Sequence, residues 1–121
     1  MVVVPDFLIK RIYQKGSLKK LDDGASLNLK NVLGPGFISG FNYVKINGVT
    51  YDAKDVKFIM NGKEYTSADV SEENPIAFKL GQVGTLIMTG ASSVVDGKNE
   101  IVIEAMNPEA GVVKLSVDDT I

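Results

Sequence analysis

The stretch Val56-Lys57-Phe58-Ile59-Met60-Asn61-Gly62-Lys63-Glu64-Tyr65-Thr66 decides the fold class. Val56, Phe58 and Met60 alternate with Lys57 and Ile59. A period of two places one set of side chains on a buried face and the other toward water. Asn61-Gly62 then supplies a two-residue reversal. A type I′ turn needs positive φ at both central positions, which Asn tolerates and Gly prefers, and its twist matches that of the flanking strands. The stretch therefore predicts a β-hairpin with strands at 56–60 and 63–66.

Working outward, the same grammar recurs. Val44–Ile46 and Val49–Tyr51 flank Asn47-Gly48 and predict a second hairpin. Leu27 and Leu29, Ile76, Phe78 and Leu80, Ile101 and Ile103, and Val113, Leu115 and Val117 all alternate with other residues at period two. Asp23-Gly24, Asp96-Gly97 and Asn107-Pro108 mark further turns. Strands are expected at 7–13, 17–20, 25–33, 38–46, 56–60 with 63–66, 76–80, 85–89, 100–106 and 112–117. About eight short strands at this spacing predict an all-β, antiparallel β-sandwich, immunoglobulin-like or jelly-roll-like. Ser67–Glu73 has room for one helical turn capped by Ser67, or for a loop only. In 7–13 the apolar positions fall on both parities, which fits a strand buried on both faces or an edge strand covered by a partner. A single domain over 1–121 is expected, with 1–20 as an edge or partner-contacting segment.

Composition narrows the chemistry. The 121 residues include no Cys, no His and no Trp. Thiolate chemistry, disulfides and Cys-ligated metal are excluded, and the usual general base near neutral pH is missing. Net charge is −2, which gives no global attraction to nucleic acid. Residues 1–60 hold 9 Lys/Arg against 5 Asp/Glu, and residues 61–121 hold 4 against 10. In a sandwich the two halves intermix, so this asymmetry cancels in cross-strand pairs. Met1-Val2-Val3-Val4 is too short for the apolar core of a signal peptide, and no apolar run is long enough for a membrane span. A cytoplasmic protein without membrane or nucleic-acid partners is expected.

Five groups of residues are candidates for a site. The first is Gly34-Pro35-Gly36-Phe37 with Gly40-Phe41-Asn42-Tyr43. Glycines let backbone approach a ligand and aromatics supply contact area, so Gly34, Pro35, Gly36, Phe37, Phe41 and Tyr43 form a candidate contact loop for a small ligand, a sugar or a protein. The same residues also read as a sharp crossover between sheets with the aromatics packed beneath. The second is acidic, Asp69 with Glu72 and Glu73 or Asp52 with Asp55, but its spacing matches no calcium loop. Glu100 and Glu104 are a carboxylate pair that reads as a solvated stripe rather than the cleft-spanning pair of a glycosidase. Ser and Thr have no His to activate them. Lys10, Arg11, Lys15, Lys19 and Lys20 form a basic cluster flanked by Asp6, Asp22 and Asp23. No catalytic residue, metal or cofactor is expected.

The run Asn47-Gly48-Val49-Thr50-Tyr51 followed by Val56–Thr66, with the alternating strands after Asp96-Gly97-Lys98, resembles the small β subunits of C-glycoside deglycosidases. The resemblance covers residues 38–117. It implies a β-sandwich subunit beside a larger barrel-type subunit that holds the metal and the acid–base residues, with no catalytic residue on this chain. The expected function is a non-catalytic accessory or interaction subunit with a protein partner, either itself or a larger catalytic subunit. The alternative is a carbohydrate- or small-ligand-binding module.

Overall fold

The computed structural model describes residues 5–121. The Met1–Val4 run, and with it the start of the expected 1–20 segment, lies outside the described residues. The described chain opens with α1 (Asp6–Ile9) and a 3-10 turn (Lys10–Ile12). The strands are β1 (Lys19–Leu21), β2 (Gly24–Lys30), β3 (Gly36–Ile38), β4 (Gly40–Ile46), β5 (Val49–Asp52), β6 (Val56–Met60), β7 (Lys63–Tyr65), β8 (Ile76–Phe78), β9 (Val83–Thr89), β10 (Lys98–Asn107) and β11 (Gly111–Thr120). A five-stranded sheet runs β1-β2-β9-β6-β7, a four-stranded sheet runs β11-β10-β4-β5, and β3 pairs with β8 in a small third sheet. Every paired strand is antiparallel. The all-β sandwich expected from the period-two pattern is present.

The core lies between the inner faces of the two larger sheets. Leu27, Leu29, Val56, Phe58, Leu86 and Met88 face Val44, Ile46, Ile101, Ile103 and Leu115. Alternation in sequence becomes alternation in burial: Val56, Phe58 and Met60 are buried, and Lys57 and Ile59 are half-buried. Both Asn-Gly turns form as read, with φ of 52° and 83° at Asn47 and Gly48 and of 54° and 78° at Asn61 and Gly62. Gly84 permits a close contact in the core. A Cβ built there would lie 1.9 Å from Cζ of Phe58, so the ring of Phe58 rests on bare backbone.

The structure departs from the sequence reading in two places and decides between its alternatives in a third. Residues 7–13 are not a strand. Pro5 precedes one turn of α-helix and the 3-10 turn, whose inward residues Ile9, Ile12 and Tyr13 pack on the core while Phe7 stays exposed. Apolar residues on both parities over so few positions fit a short helix as well as a two-faced strand. The expected 38–46 strand is two strands. The chain leaves the β3 pairing with β8 at Ser39, whose N–H donates to Met106 O at 2.8 Å, and joins the four-stranded sheet as β4. Ser67–Glu73 holds no helix. Asp69 instead closes a turn by accepting the Thr66 N–H and hydroxyl, both at 2.9 Å. Those bonds, the backbone one first, hold the Asp69 carboxyl below its ordinary range.

Candidate functional site

At one end of the sandwich the sheets part around an apolar cleft of about 390 Å³. Ile9, Leu29, Phe78, Ile103 and Leu115 are buried at its floor. Leu33 and Phe37 stand at its rim, 38% and 49% exposed, together with Pro35, Pro108 and Glu109. An aromatic trio supports the floor. Phe58 packs on Phe41 with centroids 5.3 Å apart and meets Phe78 edge-on at 5.7 Å. Phe41 and Phe78 each turn another surface to the cleft.

Two asparagines build the rim. The buried Asn31 side chain donates to Gly34 O at 2.6 Å and to Phe78 O at 2.7 Å, and accepts the N–H groups of Leu33 and Gly34. This amide fixes the turn that carries Gly34, where φ is 151°. Asn107 donates to Phe37 O at 2.8 Å and accepts the N–H groups of Glu109 and Ala110, also at 2.8 Å. The rim loops 31–37 and 107–110 are therefore tied to the strands beneath them. Neither Asn was read from sequence as part of a site. The signals were Asn31 placed three residues before Gly34 and the Asn107-Pro108 turn.

Five of the six expected contact residues meet here. Gly34, Pro35, Gly36, Phe37 and Phe41 line the cleft, and Tyr43 does not. The cause is a β-bulge. Glu104 of β10 faces Tyr43, yet Ala105 faces Phe41, so Asn42 is an extra residue in β4. The slip turns Phe41 to the inner face and leaves Tyr43 half-buried on the other face, with Lys45 Nζ 5.7 Å from its ring centroid. Phe41 is packed beneath the crossover, and Phe37 is presented to solvent.

The other candidates disperse. Among the described residues no three His, Cys, Asp or Glu side chains are grouped to hold a metal ion. Glu104 accepts the Asn42 amide at 2.9 Å and lies across from Lys114, whereas Glu100 lies across from Asp118. Along one strand Glu100 and Glu104 are roughly 13 Å apart, beyond the spacing of a glycosidase pair. In the basic cluster, Lys15 pairs with Asp118 at 3.5 Å, and Lys19 and Lys20 are exposed on β1.

The N-terminal segment is fastened by a buried carboxylate. Asp119 of β11 accepts the Tyr13 hydroxyl at 2.5 Å and the N–H groups of Gly16 at 2.8 Å, Leu18 at 3.4 Å and Thr120 at 2.9 Å. Burial pushes its pKa up, but the Tyr13 hydroxyl and the backbone donors outweigh burial and hold the carboxyl below the ordinary range. Burial, and then the bond to Asp119, raises Tyr13 above the usual phenol range. The latch keeps Ile9 and Ile12 in the cleft wall.

Fold and cleft together define a small all-β domain with an apolar cleft at one end. A family model described as the hydroxymethylglutaryl-CoA reductase N-terminal domain matches residues 8–121, and the chain belongs to that family. The family is by description a domain of a larger enzyme. The comparison with curated proteins finds no match. The family match corrects the resemblance to the small β subunits of C-glycoside deglycosidases. The residues that carried it are chiefly two type I′ hairpins, and Asn-Gly between alternating residues is favoured by turn geometry in any protein that makes them. The match also includes most of the 1–20 segment, which that resemblance left out. No helix among the described residues is long and apolar enough to cross a membrane.

Proposed function

We propose that this chain is a non-catalytic domain of a larger hydroxymethylglutaryl-CoA reductase-type enzyme and that its cleft-bearing end seats against the catalytic part. One observation carries the reading. Of the ten large apolar residues exposed on the described chain, five stand at this end: Val32, Leu33, Phe37, Leu80 and Val83. The register gathers them. Lys30 pairs with Val83, Asn31 exchanges backbone hydrogen bonds with Gly81 and Gln82, and Phe37 pairs with Ala77. Exposed apolar residues gathered at one end favour an interaction site there. A sugar ligand finds no support in the rim's buried amide, because Asn31 already spends both amide protons on Gly34 O and Phe78 O. In this reading the single β-sandwich unit supplies a rigid seat and the chemistry belongs to its partner.

The test is site-specific photo-crosslinking from positions 37 and 80 in the protein expressed in its own organism. The expected products join those positions to peptides outside residues 1–121 that belong to a catalytic polypeptide, and Val32→Asp suppresses them. Cross-links confined to a second copy of this chain would contradict the reading, as would no cross-links from either position.

A further inference from the structure

We propose that the interior of the cleft is a small-molecule site for the hydrocarbon part of an amphiphile with a cationic head. The cleft, at about 390 Å³, falls within the range of ligand pockets. An apolar cavity of about 150 Å³ already takes up benzene. The floor is hydrocarbon, from Ile9, Leu29, Ile103 and Leu115, with the Phe78 ring. The two uncharged polar side chains in the lining are engaged in holding the rim. Asn31 uses both amide protons and accepts two N–H groups, and Asn107 holds Phe37 O and two backbone N–H groups. A hydroxyl or amide placed among these floor side chains would lose its water without a partner, so the part inserted there carries none.

Charge selects the head. Among the described residues Glu109 is the only charged one in the lining, and it is exposed at the rim. The turn made by Asn107 holds it there, with the Glu109 N–H on Asn107 Oδ1 at 2.8 Å. A carboxylate at the mouth favours a cationic head and opposes an anionic one. The cleft interior carries this site whether or not the rim also meets a protein.

The test is calorimetric titration of the full protein with decyltrimethylammonium, decanol and decanoate at submicellar concentrations. The expected order is cation tightest, alcohol next and carboxylate weakest, with roughly tenfold between the charged probes. Glu109→Gln brings the charged probes together and leaves decanol unchanged. Ala105→Leu, which fills the cleft, weakens all three. Should that variant fail to fold, the Glu109→Gln comparison still decides the head-group claim. The proposal is overturned if no probe binds below about 1 mM, if decanoate binds as well as the cation, or if Ala105→Leu folds and binds as wild type. Absent probe binding beside intact cross-linking at positions 37 and 80 would assign the cleft to protein docking alone.

Discussion

Asp119 is 2% exposed, and its carboxylate collects the Tyr13 hydroxyl and the backbone of Gly16 and Leu18. Asp119→Ala leaves those donors buried without a partner and removes the tie between the N-terminal segment and β11. Bonds to a charged group are the stronger kind, so the expected loss is about 3 kcal/mol by denaturant titration. The pH dependence follows from the same bonds. The folded carboxyl is held below its unfolded value of about 3.9, so its stabilisation is complete above that value and is lost as pH falls through the folded pKa. Tyr13 has the opposite sense. Its raised pKa gives stabilisation that is present below about pH 10 and lost as pH rises beyond it. Asp119→Asn should flatten the acid limb of a stability–pH curve, and an unchanged limb would show that the latch is not responsible. Asn31→Ala removes four hydrogen bonds at the rim and leaves the carbonyl of Phe78 without its donor. It should cost about 2 kcal/mol in the same titration.

Among the elements, β6 and β9 illustrate how a strand with no side chain at one position seats another strand's ring. Gly84→Ala would push the Phe58 ring off its seat and disturb Phe41 and Phe78 with it. Overpacking of this kind costs about 2 kcal/mol, and Phe58→Leu in the same molecule should recover part of it, as read from thermal midpoints. Strands that alternate and end in Asn-Gly were legible in the sequence because one residue type at one position decides each turn. Elements that depend on distant partners were not. Residues 7–13 became helical because Ile9, Ile12 and Tyr13 had a sandwich end to fill. The break at Ser39 follows from its bond to Met106, 67 positions away in the chain. The bulge at Asn42 is invisible to a count of twos, so the sequence grouped Tyr43 with Phe41 although the register divides them. The loop at the cleft rim was readable from Gly34-Pro35-Gly36-Phe37. The asparagines that hold it were not, because an amide acquires its role from the carbonyls placed around it.

For the whole molecule, the two sheets close over one core, and exposed apolar residues collect at the end that carries the cleft. In the proposed reading this domain binds and a larger enzyme reacts. That division of labour is most directly tested by hydrogen–deuterium exchange on the chain alone and in the assembled enzyme. Assembly should slow exchange in residues 31–38 and 77–83 and leave the β5 and β11 edges unchanged. Protection at those edges, with the cleft end exchanging as in the free chain, would contradict the account.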